Sequence, residues 1–233
     1  KEYIRIFHPL PMSLFDFTKK NSTDACREIT GECRLLQLAT TRGELGRKIA
    51  TLVLRHSPTD IQQMKRNFGK KVEDLSPEYR DELIQKINEH LLGTYQAIRL
   101  GNQQGAFGVM DEPVTPFQKS YWDMVAGQCS SNDANPKIRF LNYLLAAFCM
   151  FVQNEPGHAI GTPFPGGDTV KVIDGIYYCP VREKTGDVDS AICLFCPALQ
   201  TPAIGYLKPP VNASLHQKQE FIRNCHDFHN FNG

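Results

Sequence analysis

The chain has 233 residues, 41% of them apolar and 22% charged, with a formal net charge of +1. That length can bury one substantial core, or one core with a small appendage. A charge balance so near neutrality supplies no field for nucleic acid, acidic lipid or an acidic partner, and argues against a dedicated nucleic-acid binder.

The N-terminal residues 1–17 lack the continuous apolar stretch and small-residue cleavage site of a signal peptide. A first helical stretch is expected over residues 24–54, loosened near Gly43 and Gly46. Ser57-Pro58 then sets a capping hydroxyl before a proline at the first helical position, with Asp60 in the first turn. Ser76-Pro77-Glu78 repeats the signal, and the helix after it carries Ile84, Ile87, Leu91, Tyr95 and Ile98 on one stripe. Residues 101–116 read as a loop and 117–125 as a helix. Asn135-Pro136 opens a helix that is apolar on nearly every side and should be the central one. Its apolar run, 138–152, falls short of the ~20 residues of a membrane span and contains Arg139 and Asn142. No membrane insertion is expected.

The character changes at Glu155-Pro156. Prolines 163 and 165 resist helix, and Gly166-Gly167 permits backbone conformations that other residues avoid. Asp174-Gly175, between residues 170–173 and 176–178, is a two-residue hairpin signal. Residues 214–228 could form a last short helix. The expected fold is mainly α: a helical bundle with a small β-hairpin and a cysteine-bearing loop cap near the C-terminus. Its parts are a helical body (1–154), a hairpin and cysteine cap (155–200) and a C-terminal extension (201–233).

Three of the eight cysteines fall in loop or turn positions of the cap: Cys179 at the hairpin's end, then Cys193 and Cys196 two residues apart. A hairpin end and a tight knuckle can aim several thiolates at one point, the requirement of a metal or iron–sulfur site. Without an export signal, reduced thiols and a cytoplasmic location are expected. Two plainer readings stand beside this one: small buried hydrophobes, or a metal-free redox dithiol. Pro180 and Pro197 follow two of the cysteines, and Leu194-Phe195 separates the pair, so an apolar shell is expected. That favours an iron–sulfur cluster over zinc. The fourth ligand is open: Cys129 lies in a polar loop, Cys225 beside His226, and His158 opens the glycine–proline turn. Cys26, Cys33 and Cys149 read as core.

The string Glu155-Pro-Gly-His158, the Gly-Thr-Pro-Phe-Pro-Gly-Gly turn, Tyr-Tyr-Cys-Pro-Val and the final Cys-x2-Cys resembles an uncharacterised archaeal family, domain of unknown function 2115, found chiefly in methanogens. The specific likeness covers residues 155–197, with a looser helical one reaching back to about residue 35. It implies an archaeal, cytoplasmic, anaerobic setting and points to His158, Gly161, Pro163, Pro165, Gly166, Gly167, Cys179, Cys193 and Cys196. The tail from Thr201 departs from the family pattern, which favours Cys129 over Cys225. The resemblance brings no established activity.

Together these lead to a non-catalytic metal-binding protein, oxygen-responsive, with a protein partner that the family's distribution suggests is a methanogenesis enzyme. The alternative is a metal-dependent or redox enzyme using the same three cysteines, with His158, Asp168 or Asp187 beside an open metal position.

Overall fold

Polar side chains just ahead of the helices, most of them with proline at the first helical position, fix where the helices begin. The computed structural model describes residues 14–128, 135–164, 167–185 and 192–201. Helix α1 is Leu14–Gln37 and α2 is Arg42–Val53. Thr41 caps α2 by accepting from the Glu44 N–H at 3.2 Å, while the Glu44 carboxylate accepts from the Thr40 N–H at 2.8 Å. This pairing satisfies donors that a helix start leaves open. Helix α3 (Pro58–Lys71) begins likewise, with Asp60 accepting from the Ser57 N–H at 2.8 Å. Helix α4 (Pro77–Gln103) follows Ser76, α5 (Pro116–Gln128) follows Thr115, and α6 (Pro136–Ala147) is capped by Asn135.

The break between α1 and α2 falls at residues 38–41, not at Gly43 and Gly46, which lie inside α2. These glycines answer a packing need. The segment after α4 folds back over α2: Gly43 donates to the Met110 carbonyl at 2.9 Å and Arg42 to that of Glu112 at 2.8 Å. A Cβ on Gly43 would lie 2.0 Å from the Phe107 carbonyl oxygen; on Gly46 and Gly101 it would lie 3.0 and 2.9 Å from the Phe107 ring. Glycines from α2 and α4 thus form a slot for Phe107, which is buried. The segment read as a loop is therefore partly ordered: α4 continues to Gln103, and a 3-10 turn at Ala106–Val109 presents the ring.

Helix α6 is central, as its all-round apolar sequence predicts, with α1, α2, α3 and α4 packed about it. It continues as a π-helical segment, Phe148–Gln153, ended by Asn154 at φ 57°. On α4 the buried stripe is Leu83, Leu91, Thr94 and Ile98, turned slightly from the predicted one because the helix packs against α2, α3 and α6 together. No helix among the described residues is long and apolar enough to cross a membrane.

The cap is a three-stranded sheet. Strands β1 (Lys171–Ile173) and β2 (Ile176–Cys179) form the predicted hairpin, with Asp174 at φ 51° and Gly175 at φ 79°. Positive φ at both turn positions matches the right-handed twist of the strands. Sequence patterning did not anticipate β3 (Leu199–Gln200), which pairs parallel to β2. The extension's expected helix lies outside the described residues.

Three outcomes are expected. Gly43→Ala should lower the unfolding free energy by about 1–3 kcal/mol or more, since backbone must move. Gly93→Ala, mid-helix with nothing within 4 Å of the new Cβ, should raise it by about 0.4–1 kcal/mol; urea titrations would compare them. The Thr40 N–H, with help from Lys48, holds the Glu44 carboxyl at about 2 instead of its ordinary 4.5. A depressed folded-state pKa contributes stability above the unfolded value, lost as pH falls from 4.5 toward 2. Glu44→Gln should be less stable at neutral pH and lose less over that window, read from melting temperatures across pH.

Candidate functional site

The sheet brings the three cap cysteines together. Strand β2 ends at Cys179. The chain returns through a 3-10 turn, Ile192–Phe195, that runs directly into β3. Because β3 lies against β2, with Tyr178 opposite Leu199 and Cys179 opposite Gln200, the knuckle sits beside the hairpin's end. The Thr201 N–H donates to the Cys179 carbonyl at 3.1 Å, and the Cys196 N–H to that of Cys193, also at 3.1 Å.

Cys179 and Cys193 are buried and Cys196 is partly exposed. Burial pushes the Cys193 thiol up to about 12, and negative charge on Cys179 or Cys196 would push it further. Burial likewise raises Cys179 to about 12, with a backbone hydrogen bond at Val181 opposing and Cys196 reinforcing. The sulfurs are thus close enough to sense one another, and both buried thiols are neutral at pH 7. Arg182 counters this at both sites. Its guanidinium donates to the carbonyls of Ala198 at 3.2 Å and Leu194 at 3.1 Å, so it also ties the knuckle to β2. Gln200 adds a second tie, donating to the Pro180 carbonyl at 2.8 Å and accepting from the Glu183 N–H at 2.9 Å.

The knuckle is anchored on the helical body by Phe195, the residue just before Cys196. Its ring stacks on Phe117 at 4.9 Å between centroids and meets Tyr121 edge-on at 5.1 Å. Cys196 touches both hydrophobic clusters, that of the body and that of the cap. The apolar pair between the cysteines therefore does more than form a shell: Phe195 docks the cap. Helix α4 also holds the strap before the hairpin. His90 Nε2 donates to the Gly157 carbonyl at 3.2 Å and the Tyr79 hydroxyl to that of Pro163 at 3.3 Å.

The remaining candidates divide. Cys129, Cys225, Asp187, Pro165 and Gly166 lie outside the described residues. His158 meets Phe164 edge-on at 6.1 Å and borders a cavity against α4. Asp168 pairs with Lys171. Gly161 and Gly167 take φ 83° and 88°, left-handed values that favour glycine. Cys33 and Cys149 are buried in the body, as read; Cys26 is half-buried on α1 and is not among the free thiols. Among the described residues no group of three or more His, Cys, Asp and Glu side chains is disposed to hold a metal ion. The three cap thiols sense one another electrostatically, but they are not disposed as a set of metal ligands. Sequence reading missed Arg182, Gln200, His90 and Tyr79, because their partners are backbone carbonyls that tertiary structure supplies.

A family model described as an uncharacterized protein conserved in archaea, DUF2115, matches residues 41–201. The chain belongs to this family. The match takes in Cys129 and all three cap cysteines and ends at residue 201, leaving Cys225 outside it. A UPF0305 protein of Methanopyrus kandleri is 39% identical over 70 residues, 30% of this chain and 49% of the relative. One from Methanothermobacter thermautotrophicus is 46% identical over 59 residues, 25% of this chain and 38% of the relative. One from Methanocaldococcus jannaschii is 23% identical over 155 residues, 66% and 92% respectively. The chain thus spans less than half the length of the first two relatives. No solved structure matches it.

The thiol environments predict an order of reaction. Because Cys179 and Cys193 are buried with raised pKa values, while Cys196 is partly exposed, iodoacetamide at pH 8 should label Cys196 well before them in the native protein. Mass spectrometry of timed digests would read the order. Equal rates at the three would show that the knuckle does not shield its buried members.

Proposed function

We propose that this archaeal chain is a non-catalytic metal-binding protein whose Cys179, Cys193 and Cys196 take up an iron–sulfur cluster in preference to zinc. One observation supports the reading: a hairpin end and a knuckle bring three cysteines within electrostatic reach of one another, two of them buried, at the seam of the cap and the body. Burial favours their neutral form, so a soft metal must displace protons to bind. The adjacent Arg182 charge offsets part of that penalty. An apolar shell of Phe164, Val181 and Ala198 around Cys179, with Phe195 beside Cys196, supports a cluster sheltered from solvent. Cys129 is the first choice for a fourth ligand, with Cys225 or His158 as substitutes.

In this reading the protein is cytoplasmic, and a partner, a methanogenesis enzyme in keeping with the methanogen relatives, senses the state of the cap. Phe195 supports such coupling, since it joins the cysteine turn to the aromatic core of the body. The competing reading is a redox enzyme using the Cys193–Cys196 dithiol, favoured by the partial exposure of Cys196 beside a buried cysteine.

Protein isolated without oxygen should contain iron and sulfide, or failing that one zinc, and Cys196→Ala should lose it while far-UV circular dichroism is unchanged. Metal-free protein that forms a reversible Cys193–Cys196 disulfide would favour the redox reading instead. Pull-downs from anaerobic and air-exposed lysate, with wild type and Cys193→Ala, test the partner: identical capture in all samples would remove the sensing role.

A further inference from the structure

Beneath the strap that enters the cap lies a cavity of about 100 Å³. Its apolar wall comes from Ile87 and Leu91 of α4, Leu145 and Ala146 of α6, and Ile192 of the cysteine knuckle, with Phe68 of α3 at one side. His90 and Thr94 supply polar groups on the α4 side, and Asn142 and His158 also border it. The cavity thus sits where body and cap meet.

The hydrogen bonds assign the imidazole. The Gly157 carbonyl can only accept, so the His90 Nε2 that it meets at 3.2 Å carries the proton. Cys149, in the π-helical segment, lies 3.7 Å from that same nitrogen, and its sulfur is 3.3 Å from the Thr94 hydroxyl. Both of these contacts use Nε2 or Thr94. The other ring nitrogen, Nδ1, therefore holds a lone pair that accepts no hydrogen bond from any described residue. Burial lowers the His90 pKa, which keeps the ring neutral and the lone pair available. Cys149, raised to about 12 by burial, is no nucleophile here. The chemistry of this corner is recognition.

An apolar cavity with a few convergent polar groups is the usual form of a small-molecule site. A dry cavity of about 150 Å³ can hold benzene, so this one suits a smaller body. We propose that the cavity binds a neutral molecule of about five heavy atoms with an apolar body and one N–H or O–H group, which donates to Nδ1 of His90. Because Ile192 lines the cavity and directly precedes Cys193, an occupant would brace the cysteine knuckle. The site does not depend on whether the cap binds metal.

Pyrrole and furan are suitable probes, being rings of nearly equal size that differ in the N–H donor. In the full-length protein, pyrrole should give saturable NMR shifts at the His90 ring and at the amides of Thr94 and Gly157. Furan should bind roughly tenfold or more weakly, the discrimination of about 1.4 kcal/mol that one hydrogen bond supplies. Ala146→Met, which fills the cavity, should abolish the shifts with the far-UV spectrum unchanged. His90→Phe should remove the preference for pyrrole. Should Ala146→Met fail to fold, Leu91→Met serves as a milder change of the same wall, expected to weaken binding. The absence of saturable shifts in wild type, equal binding of furan, or undiminished binding in the filled variant would each overturn the proposal.

Discussion

The seating of Phe195 among Phe117, Tyr121 and Phe151 is the contact on which the cap's geometry depends. Strands of two to four residues, most of them exposed, offer little hydrophobic face, so the sheet needs packing against the helical body. The cap borrows stability by placing one aromatic ring in the helical core, immediately before Cys196. Everything downstream follows from that anchor: β3 runs on from the knuckle, finds β2, and brings Cys179 to the other two cysteines. Two hydrogen bonds from α4 to the strap add a second attachment. The thiols are therefore located by contacts with the body as much as by their own turns.

That arrangement sets the electrostatics. Burial pushes Cys179 and Cys193 toward the neutral form, while the Arg182 charge acts against it. Arg182 spends its hydrogen bonds on the Leu194 and Ala198 carbonyls, so the same side chain fixes the knuckle and moderates its charge. In the proposed function, binding a thiophilic metal converts neutral thiols to thiolates next to this guanidinium. Loss of the metal would return them to their protonated, buried form. A change of that kind at the seam of two hydrophobic clusters is one that a partner protein could read.

The helical body also shows how tightly local backbone freedom and packing are tied. Gly43, Gly46 and Gly101 look like helix weaknesses in sequence, and the first two suggested a loosened helix. They instead make room for Phe107, whose backbone and ring lie where Cβ atoms would be. A glycine inside a helix signals either a break or a close approach, and only the identity of the neighbour distinguishes them.

The helix starts, the central place of α6 and the Asp174-Gly175 hairpin were legible in the chain, because capping groups, an all-apolar helix and a two-residue turn act over a few neighbouring positions. The chain also singled out Cys179, Cys193 and Cys196, whose spacing is local. Contacts between distant segments settle that β3 pairs with β2, that Phe195 is an anchor, and that Arg182, Gln200, Tyr79 and His90 hold the cap. These residues bond to backbone carbonyls supplied by other segments, and a carbonyl has no signature in sequence. The cavity beside His90 belongs to the same class: its walls come from α3, α4, α6 and the cap, and no periodicity within one segment can encode a space bordered by four.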